Sequence, residues 1–174
     1  ADWFARRRGV PGLDPAAVLP TVGSKEFVAL APALLGVGEG ETVVHPTVAY
    51  PTYDVGARLA GASPLPADSP EEWRSTPGVK IVWVNSPSNP TGAVASIEQL
   101  AEIVAAAREI GAVVFSDECY AELTWDGSGP APSILDPAVC GGSTEGVVAV
   151  YSLSKQSNLA GYRAAFAAGD SRVI

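Results

Sequence analysis

Two runs rich in β-branched and aromatic residues, Val79 to Val84 (VKIVWV) and Ala112 to Phe115 (AVVF), enclose one amphipathic segment, Ile97 to Ile110. Within it Ile97, Leu100, Ile103, Val104, Ala107 and Ile110 recur at helical spacing and share one face. Ser96, with Gln99 three residues on, forms a capping box at its start, and Gly111 supplies the stop. The same alternation continues on either side. Strands are expected at Val18 to Val22, Thr42 to His45, Ala62 to Leu65, Gly146 to Val150 and Ala164 to Ala168. Helices are expected at Ser24 to Leu35 and Tyr53 to Ala60, with a helix end at the start of the chain (ADWFARRRG). Such alternation argues an α/β fold with a mostly parallel sheet covered on both faces. Pro32 conflicts with its helix and predicts a kink. Pro64, Pro66 and Pro70 punctuate the loop that follows the short Ala62 strand. Gly36-x-Gly38-x-Gly40 follows a helix instead of a strand, so it reads as a stop and turn, not a dinucleotide fingerprint. No internal repeat or second-domain boundary interrupts residues 1–174.

Composition limits the partners. The 174 residues are 47% hydrophobic and 17% charged, ample for one sizeable core. Eleven Lys+Arg against nineteen Asp+Glu leave a net charge of −8, which argues against nucleic acid or an anionic membrane as partner. No apolar run reaches the ~18 residues that span a bilayer, and no signal-peptide pattern opens the chain. A cytoplasmic location is therefore expected. Cys119 and Cys140 have no metal-ligand spacing and suggest no disulfide framework. The single histidine, His45, excludes Ser-His triads and multi-histidine metal sites, and reads as structural. Glu71-Glu72 and Arg6-Arg7-Arg8 read as solvated faces.

Polar residues of three different kinds gather just past three strand ends. Asn85-Ser86-Pro87-Ser88-Asn89-Pro90-Thr91-Gly92 follows the first run, and Ser116-Asp117-Glu118-Cys119-Tyr120 the second. Tyr151-Ser152-Leu153-Ser154-Lys155 follows Gly146 to Val150, with Arg163 eight residues after the lysine. Taken singly these are a tight turn, an acidic loop and a solvated lysine. Together they present an amide, a carboxylate with a phenol, and an amine with a guanidinium, and ligands in open α/β sheets bind at the carboxyl ends of the strands. Among hydroxyls, the Lys155 amine can form a Schiff base with an aldehyde, while Ser152, Ser154 and Arg163 can take a phosphate. Gly23-Ser24-Lys25 opens a helix, where free N–H groups and the dipole favour an anion; an ordinary Ser24 N-cap fits as well.

The set Ser-x-Asn-Pro-Thr-Gly, Asp-x-x-Tyr and Ser-x-Ser-Lys with Arg eight residues on resembles the class I/II aminotransferases, which are fold type I pyridoxal-phosphate enzymes. The motifs keep the family's order and cover nearly the whole chain. The resemblance implies the three-layer αβα large domain of that fold type, here partial, with an N-terminal segment and a C-terminal small domain lying outside residues 1–174. The lack of any methionine likewise leads us to expect an internal piece of a longer protein. The cofactor implied is pyridoxal 5'-phosphate, and no metal is expected.

By the same resemblance Lys155 carries the cofactor and moves the substrate proton, Asp117 pairs with the pyridine nitrogen, and Asn89 and Tyr120 bond the ring hydroxyl. Tyr50 stacks on the ring; without the family, Tyr50 and Tyr53 read as packing residues. Gly23, Ser24, Lys25, Ser152, Ser154 and Arg163 surround the phosphate. The activity implied is amino transfer between an amino acid and a 2-oxo acid, in a homodimer when full-length. The strings Leu19 to Glu26 and Tyr50 to Gly61 resemble the actinobacterial N-succinyldiaminopimelate aminotransferases of lysine biosynthesis. That implies N-succinyl-LL-diaminopimelate with 2-oxoglutarate/glutamate. A carbon–sulfur β-lyase on the same scaffold, or a catalytically incomplete cofactor-binding piece, would share every motif.

Overall fold

The computed structural model describes residues 1–174 apart from 126 and 128. In chain order the helices are α1 (Asp2–Arg8), α2 (Ser24–Leu34), α3 (Thr52–Leu59), α4 (Pro70–Trp73), α5 (Ile97–Glu109), α6 (Pro137–Cys140) and α7 (Leu153–Gln156). The strands are β1 (Val18–Val22), β2 (Thr42–His45), β3 (Ser63–Pro66), β4 (Val79–Asn85), β5 (Val113–Asp117), β6 (Val147–Ser152) and β7 (Ala164–Gly169). They form one sheet in the order β1-β7-β6-β5-β4-β2-β3. The central ladders β3/β2, β2/β4, β4/β5 and β5/β6 are parallel, and β7 runs antiparallel to both β6 and β1.

Alternation along the strands divides two cores. Val82 and Val84 of β4, Val114 of β5, and Val147 and Ala149 of β6 face the side that holds Phe4, Leu100, Val104 and Trp73. Ile81, Trp83, Phe115, Val148 and Val150 face the other side, against Val28 and Ala31 of α2 and Tyr53 and Ala57 of α3. Side chains of a strand point alternately to opposite faces, so strands buried on both faces read as continuous apolar runs. The three-layer αβα arrangement with a mostly parallel sheet is thus present. The expected capping box of α5 is also present: Ser96 Oγ accepts from Gln99 N at 3.2 Å, and Gln99 Oε1 from Ser96 N at 2.9 Å.

Some local expectations change. Pro64 and Pro66 lie inside β3, not in a loop after it; β3 pairs only with β2, and prolines fit an edge strand. Pro70 opens α4, where its missing N–H is not needed. Pro32 sits in the last turn of α2, buried, and the helix runs on to Leu34. Lacking an N–H, Pro32 leaves the Val28 carbonyl without its helical donor, and that carbonyl stands 3.0 Å from where a Cβ on Gly56 of α3 would lie. Only glycine lets α3 approach α2 so closely there. Arg8 is not on a solvated face: its guanidinium is buried and meets buried Glu118 at 2.9 Å.

Register carries the sheet's order into the site. Asn85 and Asp117 are ladder partners at the C-terminal ends of β4 and β5, and Asp117 in turn pairs with Val150 of β6. The strand order reverses between β2 and β4, the place where α/β sheets open a crevice.

Candidate active site

A cavity of about 200 Å³ opens at these strand ends. Ser24 and Lys25 line it from the start of α2, Tyr50 and Tyr53 from the start of α3, and Asn85 and Asn89 from the end of β4 and its loop. Asp117, Cys119 and Tyr120 reach it from the end of β5, and Ser154, Lys155 and Arg163 from α7 and the turn after it. The segments that the sequence places apart, from residue 24 to residue 163, therefore share one chamber.

The predicted residues outside that lining are Gly23 and Ser152. Gly23 is the N-cap of α2 with φ +78 and ψ 153, a backbone conformation that calls for glycine, and a Cβ there would stand 2.0 Å from Arg163 Nη2. Ser152, buried, caps α7: its Oγ accepts from Ser154 N at 3.1 Å and donates to Ser154 Oγ at 2.9 Å. Lys155 lies in the short helix α7, not a loop, and its Nζ sits 5.6 Å from the centre of the Tyr120 ring. A cation over an aromatic face is attracted by the ring quadrupole.

Asp117 is the electrostatic centre. Tyr53 Oη donates to its Oδ2 at 2.9 Å, and Cys119 N donates to its Oδ1 at 3.2 Å. Burial pushes the Asp117 carboxyl above the usual carboxylate range, against the pull of those two donors and of the Lys155 charge. Tyr53 is pushed far above the ordinary phenol range by burial and by the Asp117 charge it faces. Burial, and then the same carboxylate, raise the Cys119 thiol. A buried carboxylate held at a cavity wall is stabilised most by a cationic N–H partner within reach.

Asn85 joins two of the predicted segments. Its Oδ1 accepts from Asn89 N at 2.7 Å and its Nδ2 donates to the Asp117 carbonyl at 2.9 Å, so the Asn-Pro-Thr-Gly loop is tied to the end of β5. Arg163 Nη1 donates to the Ala160 carbonyl at 3.0 Å, and Nη2 to Glu26 of α2. The Arg163 guanidinium holds the Glu26 carboxyl below its usual range. Behind the site, Glu118 Oε1 accepts from Ser133 Oγ and Ile134 N, while Oε2 accepts from Arg8. Sequence reasoning assigned no role to Tyr53, Asn85, Glu26, Arg8 or Glu118. The one local sign was Tyr53 three residues after Tyr50, which puts both near the start of one helix.

Among the described residues, no group of three or more His, Cys, Asp or Glu is placed to hold a metal ion. No described helix is long and apolar enough to cross a membrane.

Comparison with known proteins gives this geometry a family. The model of the aminotransferase class I and II family matches residues 1–174. The chain is 58% identical over 174 residues to the 4-dedimethylamino-4-oxo-anhydrotetracycline transaminase OxyQ of Streptomyces rimosus, covering all of this chain and 47% of that protein. It is 40% identical over 188 aligned residues to an LL-diaminopimelate aminotransferase of Desulforudis audaxviator, again covering all of this chain and 46% of the relative. The solved N-succinyldiaminopimelate aminotransferase of Mycobacterium tuberculosis superposes with a TM-score of 0.85 at 32% identity, over 99% of this chain and 47% of that one. The chain spans about half the length of the curated relatives it matches. Enzymes of this family use pyridoxal 5'-phosphate. From its strand-end chamber to the match along its whole length, the chain belongs to the class I and II aminotransferases.

Proposed function

We propose that residues 1–174 form the cofactor-binding core of a pyridoxal-phosphate-dependent transaminase, which moves an amino group between an amino acid and a 2-oxo acid. The observation that carries this reading is the shared chamber, which brings together buried Asp117, the Lys155 amine, and the Arg163 guanidinium with the α2 start. The chamber fits the cofactor in charge as well as place. A buried carboxylate suits a protonated pyridine nitrogen, and the helix start with an arginine suits a phosphate.

When bound, the cofactor supplies an aldehyde for an amine and a ring that draws electrons from the substrate Cα. The chain's groups divide the remaining work. Lys155 Nζ would hold the cofactor's aldehyde end and, once free, would act as the base that takes the proton from the substrate Cα. Asp117, oriented by Tyr53 and Cys119 N, keeps the positive charge at the ring nitrogen. Asn89 and Tyr120 would hold the ring hydroxyl, Tyr50 would cover a ring face, and Ser24, Lys25, Ser152, Ser154 and Arg163 with Gly23 would hold or shape the phosphate end. The chain spans about half the length of its relatives, and the family resemblance puts the substrate-carboxylate clamp, the closing small domain and a homodimer partner outside residues 1–174. Residues 1–174 alone are therefore expected to bind cofactor without turning over.

For the substrate we favour N-succinyl-LL-diaminopimelate with 2-oxoglutarate/glutamate, a cytoplasmic step of lysine biosynthesis. It is supported by relatives named for LL-diaminopimelate and by solved N-succinyldiaminopimelate aminotransferases at 32% and 36% identity. A second reading, a polycyclic ketone as amino acceptor, is favoured by the 58% identity to the anhydrotetracycline transaminase. Half-reactions separate the possibilities. Glutamate should convert the bound cofactor's absorbance, and the true acceptor should restore it. Restoration by the polycyclic ketone alone overturns the diaminopimelate reading, and release of pyruvate from a β-substituted amino acid without amino transfer overturns transamination.

A further inference from the structure

Arg163 already holds an anion, and the chain itself supplies it. Its Nη2 meets Glu26 Oε2 at 2.5 Å, with the two side chains 37% and 48% exposed. Glu26 lies in the first turn of α2, where the positive end of the helix favours a carboxylate. The pair sits directly over the N-cap: a Cβ on Gly23 would stand 2.0 Å from Arg163 Nη2 and 2.3 Å from Glu26 Oε2. Arg163 and this helix start are the two features that the proposed function gives to the cofactor's phosphate. One guanidinium cannot serve a carboxylate and a phosphate dianion equally, and the two anions repel each other across a few ångströms.

We propose that Glu26 is a built-in competitor of the cofactor phosphate: it keeps Arg163 ordered when no phosphate is there, and its charge lowers the affinity for the phosphorylated cofactor. This inference rests on the phosphate reading of the Arg163 end. Cofactor capture then requires Glu26 to give up its ion pair with Nη2, while the bond from Nη1 to the Ala160 carbonyl can persist and keep the guanidinium in place. Glu26 thus acts on binding and exchange, with no part in the chemistry at the substrate Cα.

The test titrates pyridoxal 5'-phosphate, and separately pyridoxal without the phosphate, onto the cofactor-stripped protein and its variants, followed by ligand absorbance. Glu26→Gln keeps the side chain's size and an oxygen acceptor but removes the charge. It should bind the phosphorylated ligand roughly three- to tenfold more tightly, within the range of a half-exposed ion pair acting on a dianion. It should leave pyridoxal binding unchanged, and the gain should shrink in ~1 M salt, where exposed charges are screened. An unchanged or weaker affinity of Glu26→Gln for pyridoxal 5'-phosphate overturns the proposal, the weaker case making Glu26 a support for Arg163. Arg163→Ala tests the underlying reading by itself: it should lose affinity for the phosphorylated ligand alone. If it does not, the phosphate lies elsewhere and the competitor role falls with that reading.

Discussion

Tyr53 and Asp117 come from opposite sides of a layer boundary, the one from α3 and the other from the end of β5, and meet through a 2.9 Å hydrogen bond from phenol to carboxylate. The Tyr53 ring is itself packed on Trp83, at 5.2 Å between centres, and Trp83 on Phe115 at 4.9 Å. The carboxylate's orientation is therefore set by the aromatic core beneath it. Tyr53→Phe should keep the packing and lose the donor. We expect about 1–2 kcal/mol of lost stability and a lower rate of substrate deprotonation, with the Asp117 carboxyl pushed further upward. Thermal unfolding, and the single-turnover rate of the full-length protein over a pH series, check it. Unchanged rates at every pH would leave Tyr53 a packing residue only.

In the full-length protein Asp117→Ala should still bind pyridoxal 5'-phosphate, though less tightly, and should stall proton abstraction. Loss of one well-placed electrostatic stabiliser typically lowers a rate by roughly 100–1,000-fold. Near-normal turnover would reduce Asp117 to a member of an acidic loop.

Borohydride reduction of the cofactor-loaded protein should attach the cofactor to Lys155, as read by peptide mass spectrometry. In the full-length protein Lys155→Ala should abolish turnover. Label on Lys25, the other lysine of the chamber, would move the chemistry to the wrong end of the site.

Arg8 and Glu118 give a pH-dependent prediction. Burial raises the Glu118 carboxyl, and Arg8, Ile134 N and Ser133 pull it back. An acid whose folded pKa is raised contributes stability that is complete below its unfolded value and is lost as pH rises through the folded value. Arg8→Met removes the main opposing charge and so enlarges that rise. The variant should be destabilised by about 3–5 kcal/mol at neutral pH, and by less as the pH falls below the carboxyl's ordinary value of 4.5. Urea titrations at the two pH values decide; an equal loss at both would mean that packing of the arginine stem is the whole effect.

The strands and the capped helix α5 were legible because their signals are local: β-branched runs two faces deep, a capping box, a terminal glycine. The site's principal residues were legible because each sits just past such a run. What the sequence left out depends on long-range partners. Arg8 finds Glu118 across 110 positions and Arg163 finds Glu26 across 137, and nothing beside either arginine announces it. Asn85 looked like the first residue of a turn, since its two bonds need the neighbouring strand to be in place. The short helices α4, α6 and α7 span one turn each, too little for a periodic pattern to emerge.

The ladder pairing of Asn85 with Asp117 sets how this chain tolerates changes in length. An extra residue in the solvent-facing stretch between Gly92 and Ser96, or beside Gly111, alters a surface loop and leaves both ladder partners and Asn89 in place. One residue removed from within β5 would turn every later side chain to the opposite face. The Asp117 carboxylate would then face the side of the sheet that carries α5, and Glu118 would stand in its place at the chamber. Insertion scanning of this chain should therefore show wide tolerance in its loops and none over the five residues from Val113 to Asp117.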